Sequence, residues 1–272
     1  MSGSAQLPLW PATNPAAVSP SVPAVNAGGV VNSGSYTAQG VSPGSIVSVF
    51  GTNLAASTAT ASAIPLPTAL SDVTSVTFNG VPAGLYFVSQ NQINAQLPFD
   101  VLSAGSGTVN ILVTRSTGIS APQSVTLAPS SPGIFTTTGN GLGQAFAYDN
   151  TTGAIAAPAG TVVGSFLTVP ISVSSGHALI IACTGLGAVT PSIADYVAAS
   201  DGTVRYTLLQ PAVLIGGVPA QFVYSVLSPQ FVSEYQIGVI PDPNTPTGDA
   251  VSVQIQIGGV TTTNPVTIAL AP

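Results

Sequence analysis

Glycine and proline are spread along the whole sequence and limit the secondary structure that it can form. The 272 residues include 29 Gly and 24 Pro. Proline breaks the hydrogen-bond ladder of a helix and glycine weakens it, so helix content should be low. Between these residues lie short runs of alternating apolar and polar residues, clearest at residues 251–257, where Val and Ile fall on one face. The sequence therefore predicts an all-β fold of many short strands, which is typical of a sandwich.

The second half of the sequence repeats the first, block by block and in the same order. The pairs Asn79-Gly80 and Gly216-Gly217 occupy one matched position, where they supply the positive φ angles of a tight hairpin turn. Both halves also end on the same strand. The matched blocks are residues 44–54 with 176–186, 79–83 with 216–220, 92–98 with 236–241, and 125–129 with 266–272.

The repeat and the chain length together predict two tandem immunoglobulin-like β-sandwiches. A chain of 272 residues is too long for one small sandwich and suits two domains of roughly 100 to 140 residues each. We expect an extended Pro-rich tail at residues 1–23, a first sandwich at 24–130 and a second at 131–272. Because the linker is short, the two sandwiches should form a semi-rigid rod.

Three segments of the sequence resemble those of a known family. They are residues 41–54, 91–98 and 131–136. Together they resemble the Solibacter-type C-terminal domain family of secreted acidobacterial proteins, which is related to immunoglobulin-like IPT/TIG sandwiches. The resemblance covers residues 22–272. It implies an extracellular structural or adhesive module, and it carries no catalytic residue over to this chain. Cys183 and His177 stand where the family pattern favours Gly and Ser.

Charged residues are scarce, and this excludes several classes of partner. They make up 4% of the chain, against roughly 25% in soluble domains. There is no lysine, and Arg115 and Arg205 are the only arginines, so no basic patch exists for nucleic acid or an anionic membrane. Ser, Thr, Asn and Gln must keep the surface hydrated instead. Such a surface suits a wall, a matrix or an assembly.

The sequence offers few groups for catalysis or for metal binding. His177 is the only histidine and Cys183 the only cysteine, so a zinc site cannot be completed, and a structural role for His177 is favoured over a Ser-His-Asp triad. Cys183 sits in an apolar strand, which favours a buried thiol. Asp242 and Asp249 lack the spacing of a calcium loop. The eight acids are scattered, so a glycosidase pair is disfavoured. We predict no enzyme, no cofactor and no metal.

Aromatic side chains keep a carbohydrate-binding alternative open, because aromatic faces stack on the apolar faces of sugars. Most of the tyrosines lie within strand runs, which favours core or rim positions instead. One N-glycosylation sequon begins at Asn150, and it gives weak support for an exposed loop. The aromatic candidates are Trp10, Tyr36, Tyr86, Tyr148, Tyr196, Tyr206, Tyr224 and Tyr235.

The tail contains an apolar cluster made of Leu7, Leu9, Trp10 and Pro11. Such a cluster cannot bury itself locally and needs a surface on which to dock. Two interpretations remain open: the tail adds to the sheet of a neighbouring copy, head to tail, or it packs on its own first sandwich. The first interpretation predicts a filament.

Two functions follow from these features. The first is a non-catalytic extracellular structural protein of the cell surface or matrix, self-assembling into filaments through the tail. The alternative is an adhesion or carbohydrate-binding module that acts as a monomer. Partners would be further copies of the chain, polysaccharide or other surface proteins. Neither a signal peptide nor an apolar stretch of 18 residues is present in the sequence, so the secreted or surface location is expected from the other features.

Overall fold

The structure is a computed structural model that describes residues 22–37, 40–102 and 105–272. Throughout these residues the regular structure is β-strand, and the strands form four sheets. The all-β fold that the sequence predicts is therefore confirmed. None of the described segments is a helix long and apolar enough to cross a membrane. The tail cluster of Leu7, Leu9, Trp10 and Pro11 lies outside the described residues.

The strands before residue 130 belong to what we call the first half. They are β1 Ala24–Asn32, β2 Ile46–Thr52, β3 Ala59–Thr60, β4 Val73–Phe78, β5 Val81–Pro82, β6 Gly84–Val88, β7 Gln92–Gln96, β8 Gly107–Arg115, β9 Gly118–Ile119 and β10 Gln123–Leu127.

The strands after residue 130 belong to the second half. They are β11 Gly133–Ile134, β12 Gly143–Gln144, β13 Ala147–Asp149, β14 Ile155–Ala156, β15 Thr168–Val169, β16 Ile171–Ser172, β17 Leu179–Thr184, β18 Val189–Thr190, β19 Tyr206–Thr207, β20 Ala212–Ile215, β21 Val218–Pro219, β22 Gln221–Leu227, β23 Tyr235–Ile240, β24 Gly248–Ile257, β25 Val260–Thr261 and β26 Val266–Ala271.

Each half contains two sheets. In the first half the strand orders are β1-β2-β7-β6-β3 and β10-β8-β4-β5, and β9 pairs with β8. In the second half they are β15-β14-β13-β17-β23-β22-β19-β18 and β12-β26-β24-β20-β21. The order β2-β7-β6 recurs as β17-β23-β22, and β10-β8-β4-β5 recurs as β26-β24-β20-β21. The two halves therefore share one central topology, and β12, β14 to β16 and β18 enlarge the second.

The strand register confirms the alignment of the two halves. Ser48 on β2 lies opposite Asn94 on β7, and the aligned residue Ile180 on β17 lies opposite Gly238 on β23. The matched hairpin turns also agree, because Asn79 and Gly80 have φ angles of 48° and 84°, and the equivalent Gly216 and Gly217 have 59° and 81°. Two successive positive φ angles define a type I′ turn.

Each half has its own hydrophobic core between its two sheets. In the first, Val49 from β2 and Ile111 from β8 belong to one buried cluster. In the second, Ile181 from β17 and Ile255 from β24 do the same, and Cys183 is buried beside them, as the sequence predicts. The boundary between residues 130 and 131 lies in the short segment between β10 and β11, and it stays a prediction.

Candidate functional site

The second half contacts the outer face of the first sheet, and we call this contact the joint. Side chains alternate along β2, so that Val47 and Val49 enter the core while Ile46 and Ser48 face away from it. The Ile46 backbone N–H donates to Thr184 Oγ1 at 2.9 Å across the joint. The short linker alone does not predict this hydrogen bond between the two halves.

A buried asparagine ties the start of the second half to the first. Asn32 Nδ2 donates to the Ser131 carbonyl at 2.7 Å. The Asn32 Oδ1 atom accepts from the backbone N–H groups of Gly34 at 2.7 Å and Ser35 at 3.2 Å. Because all three bonds are shielded from water, Asn32 fixes the path of the chain between the halves.

A polar cluster adds further bonds to the joint. Asp195 accepts hydrogen bonds from the Phe99 N–H at 3.0 Å and from Gln96 Nε2 at 3.3 Å. The Tyr196 N–H in turn donates to Gln96 Oε1 at 2.6 Å. Burial raises the pKa of Asp195 and the charge of Asp100 adds to the rise, although the Phe99 N–H opposes it. The joint therefore holds a carboxyl group in a poorly hydrated place.

A third apolar cluster lies at the joint, separate from the two cores. It contains Leu66 from the first half and Ala198 and Val232 from the second, with Tyr86 packed against them. The Tyr86 hydroxyl donates to the Val232 carbonyl at 2.7 Å. Burial raises the pKa of Tyr86, and the nearby charge of Glu234 also raises it. Tyr86 therefore links the two halves by packing and by a hydrogen bond.

An open groove of about 300 Å³, which we call the joint groove, runs beside this cluster. Tyr36 and Tyr86 reach it from the first half, and Phe135 and Phe231 reach it from the second. Phe231 is 54% exposed, so its ring is accessible to a ligand from solvent. Four aromatic side chains from two domains therefore border one groove.

Polar side chains on the first sheet also line the joint groove. Ser33 Oγ lies 2.9 Å from Ser48 Oγ, and Ser48 Oγ donates to Asn94 Oδ1 at 3.0 Å. Gln92 Nε2 donates to the same Asn94 oxygen at 2.7 Å. Asn94 also lines the groove, and within the described residues its Nδ2 group has no assigned acceptor. The network orients the Asn94 amide beside the groove.

Tyr36 is held at the groove in a strained conformation. Its φ angle is 56°, a left-handed value that bulky side chains rarely adopt. The Tyr36 N–H donates to the Asn32 carbonyl at 2.7 Å, and its ring lies 6.3 Å from that of Phe50. Strain of this kind is common in residues that bind ligands.

Glu234 is the acidic member of the groove lining. Burial raises the pKa of its carboxyl group above the ordinary value, although hydrogen bonds with Gln236 and Ser228 act in the opposite direction. Nothing in the sequence pattern marks Glu234, Phe135 or Phe231 as members of one site. The nearest signal is that Phe231 follows Pro229 in a loop, where an apolar residue is unexpected.

The residues considered for catalysis do not meet in the groove. His177 Nδ1 lies 2.8 Å from the buried carboxylate of Asp149 in the second half. Burial acts to raise the pKa of Asp149, but hydrogen bonds from His177 and two backbone N–H groups lower it overall. Asp242 accepts from the Asn244 N–H at 2.8 Å, as in a turn. Over the described residues, no group of three His, Cys, Asp or Glu side chains is placed to hold a metal.

The tyrosines named from the sequence divide between several environments. Tyr36 and Tyr86 line the groove, whereas Tyr235 is fully buried in the second core. Tyr196 belongs to the joint. Tyr206 is half exposed on β19, and Trp10 lies outside the described residues. The prediction of core or rim positions therefore agrees with Tyr235 in the second core and with Tyr86, which packs against the buried cluster at the joint.

A larger cavity of about 540 Å³ lies elsewhere between the halves. Its lining is made mainly of small and aliphatic side chains, including Pro43, Val189 and Ile193, and its aromatic member is Phe99. It therefore lacks opposed aromatic surfaces, and the joint groove is the better candidate for recognition.

Comparison with known proteins identifies one domain. Residues 32–128 match the family model of the IPT/TIG domain, so an IPT/TIG domain of immunoglobulin-like fold is present in the first half. No curated protein gives a significant match to the sequence.

Three solved structures show remote likeness. They are the full extracellular region of plexin A4 (13% identity, TM-score 0.28), the surface glycan-binding protein PbSGBP-B from Prevotella bryantii (10%, 0.27) and the I9–I11 tandem of titin (10%, 0.20). The matches cover 92%, 83% and 85% of this chain, but only 18%, 37% and 62% of those structures. TM-scores this low carry no inference about function.

Proposed function

We propose that this chain is a non-catalytic, extracellular binding protein that takes a polysaccharide in the joint groove. The observation that carries the proposal is the arrangement of Tyr36, Tyr86, Phe135 and Phe231 around one open groove. Aromatic faces pack on the apolar faces of sugar rings while the hydroxyl groups remain hydrogen-bonded at their edges. A groove open to solvent suits a polymer, which enters and leaves along its length.

The polar lining of the groove supports the same ligand class. Sugars need hydrogen-bond donors and acceptors beside the stacking surfaces, and a few placed polar groups give a site its specificity. Asn94 offers amide donors, and Glu234 and Ser33 offer oxygen acceptors. The lining therefore combines apolar stacking surfaces with neutral and acidic hydrogen-bonding groups.

The groove lining also favours binding without hydrolysis. A glycosidase needs two carboxyl groups roughly 5 to 10 Å apart across the scissile bond. Glu234 is the acid among the residues that line the groove, and Asp149 is engaged with His177 in another part of the second half. We therefore expect bound polysaccharide to be released intact.

A glycan array tests this proposal. Fluorescently labelled wild-type protein should be retained on some of the polysaccharides, and Phe231→Ala should weaken retention about tenfold, since one aromatic contact contributes up to about 1.4 kcal/mol. Phe166→Ala is the matched control, because Phe166 is 52% exposed and lies outside the groove. Equal retention of both variants would exclude the groove, and no retention of wild type would exclude the function.

Self-assembly into an extracellular structural filament is the second candidate function. Strands β15 and β18 end the strand order of the largest sheet. Large apolar side chains are exposed near both, with Phe166 and Leu167 just before β15 and Leu208 and Leu209 just after β19. Exposed apolar side chains at sheet ends are typical sites of strand addition. The tail residues Leu7, Leu9, Trp10 and Pro11 are our proposed donor.

Electron microscopy tests the assembly candidate. Negatively stained full-length protein should form filaments, and a variant without residues 1–21 should not. Leu167→Asp should also abolish filaments, whereas Ile119→Asp should not, because Ile119 is exposed on the first half at β9. Single particles in every sample would contradict tail-driven assembly. Membership of the Solibacter-type family and secretion are further proposals, supported by the matched phrases and the low charge.

A further inference from the structure

Glu234 lines the joint groove and, among the described residues, has no cationic side chain as a partner. Arg115 is bonded to Asp72 at 2.7 Å, and Arg205 holds Asp201 through two contacts of 2.7 Å. His177 is engaged with Asp149. Every Arg and His of the sequence is thereby committed to another acid, and the sequence contains no lysine. Within the part of the chain that the structure describes, no cationic side chain remains to neutralise Glu234.

The surroundings of Glu234 make this charge costly. The carboxyl group lines the groove but is largely removed from water, and this burial raises its pKa. Its charge also acts on Tyr86, Tyr148 and Cys183, which are neutral groups that cannot compensate it. A buried charge is stabilised when a partner of opposite sign is bound with good geometry. A cation entering the groove would supply that partner.

We propose that the joint groove selects polysaccharides whose sugars carry a protonated amino group, as in a deacetylated β-1,4-linked aminoglucan. The inference rests on the proposed function, because it requires that a sugar chain lie in the groove. The sugar ring would stack on the aromatic side chains, and its ammonium group would donate a charge-assisted hydrogen bond to Glu234. The electron-rich faces of Tyr36, Tyr86, Phe135 and Phe231 attract the same positive charge.

The same features disfavour two other classes of ligand. A polyuronate would bring carboxylates toward Glu234, and neither arginine is free to receive them. A lysine side chain would satisfy Glu234 but would leave the amide donors of Asn94 and the hydroxyl of Ser33 without the sugar hydroxyl partners that they fit. The groove is therefore better matched to an amino sugar than to a simple cation.

Calorimetric titration of the full chain tests the inference. The probes are three hexasaccharides with one β-1,4 backbone: cellohexaose, N-acetylated chitohexaose and fully deacetylated chitohexaose, at a pH where the last is charged. Wild type should bind the deacetylated form about tenfold more tightly than the two neutral ones, which is the scale of a charge-assisted hydrogen bond. Glu234→Gln should remove that preference, so that the deacetylated form binds no more tightly than the two neutral ones.

The controls separate this inference from the proposed function. Phe231→Ala should weaken all three probes together, and Glu234→Gln should unfold at or above the wild-type temperature, because the substitution removes a costly charge. If wild type binds the three probes alike, the inference is overturned while the proposed function stands. If no probe binds, here or on the glycan array, both fail. A hexalysine peptide that binds as tightly as deacetylated chitohexaose would also overturn it, because charge alone would then explain the preference.

Discussion

Strands β2 and β17 occupy the same place in the two halves, and they differ mainly on their outer faces. Inward, Val47 and Val49 correspond to Leu179 and Ile181, and all four are fully buried. Outward, the hydrogen-bonded Ser48 corresponds to Ile180, which is also buried. The repeat therefore preserves the core side of the strand and changes the other side.

This difference between the outer faces explains where the two halves make their joint. In the second half, Tyr148 on β13 lies opposite Ile180, and it packs with Phe146 against a buried apolar cluster near the added strands. The first half keeps a polar outer face, on which the second half packs and beside which the groove lies. The outward side chains, and not the shared core, thus decide which half supplies the floor of the groove.

The largest expected effect comes from replacing an outward-facing apolar residue of β17 with the polar residue found at the matching position of β2. Ile180→Ser should lower the free energy of unfolding by about 3 kcal/mol, because it removes buried apolar contacts and buries a hydroxyl group. Ile119→Ser is the control, since Ile119 is 59% exposed, and it should change stability by less than about 0.5 kcal/mol. Urea denaturation measures both. Equal effects would contradict the burial of Ile180 on the outer face of β17.

Breaking the joint should have the next largest effect. Asn32→Ala removes three hydrogen bonds and leaves the Ser131 carbonyl unpaired, so it should cost about 2 kcal/mol. The two halves should then unfold at separate urea concentrations. The control is Asn26→Ala on the exposed part of β1. A single unchanged transition in Asn32→Ala would show that the halves are coupled by something else.

Removing one hydroxyl from the joint should give a smaller loss. Tyr86→Phe deletes the hydrogen bond to the Val232 carbonyl and should cost about 1 kcal/mol in thermal unfolding. Tyr206→Phe serves as the control, because Tyr206 is about half exposed on β19. A loss from Tyr206→Phe as large as that from Tyr86→Phe would contradict the role given to the joint contact.

The smallest effect should be on how the free energy of unfolding depends on pH. This dependence should differ between Asp149, which lies within the second half, and Asp195, which lies at the joint. The pKa of Asp149 is lowered in the fold, so its contribution is present above its unfolded value of 3.8 and is lost as the pH falls through the lower folded value. The pKa of Asp195 is raised, so its contribution has the opposite sign and stability rises as the pH falls through the folded value toward 3.8.

Urea titrations at several pH values measure this contrast. Asp195→Asn should remove a pH-dependent change in the free energy of unfolding on the order of 0.5 kcal/mol. The change is small because the carboxyl group is partly exposed. Asp149→Asn should instead remove stability at neutral pH and flatten the acid limb. The interpretation fails if the two substitutions change the pH profile in the same direction.

The sequence was sufficient for features that repeat or depend on local geometry. The alignment of residues 44–54 with 176–186 predicted two equivalent strands, which are β2 and β17, and Asn79-Gly80 predicted a tight hairpin turn. The sequence could not predict the groove, because Phe231 and Glu234 meet Tyr36 and Tyr86 only after the halves pack together. No local pattern in one sequence encodes which loop of one domain covers which face of another.

The most direct test of the account is whether residues from both halves bind one ligand. Tyr36→Ala changes the first half and Phe231→Ala the second, and their affinities are measured for the array polysaccharide that wild type retains most strongly. We predict that each variant weakens binding about tenfold. The loss of binding free energy in the double variant should differ from the sum of the two single losses by more than about 0.5 kcal/mol. Independent effects, or no effect from either variant, would contradict a single groove shared by the two halves.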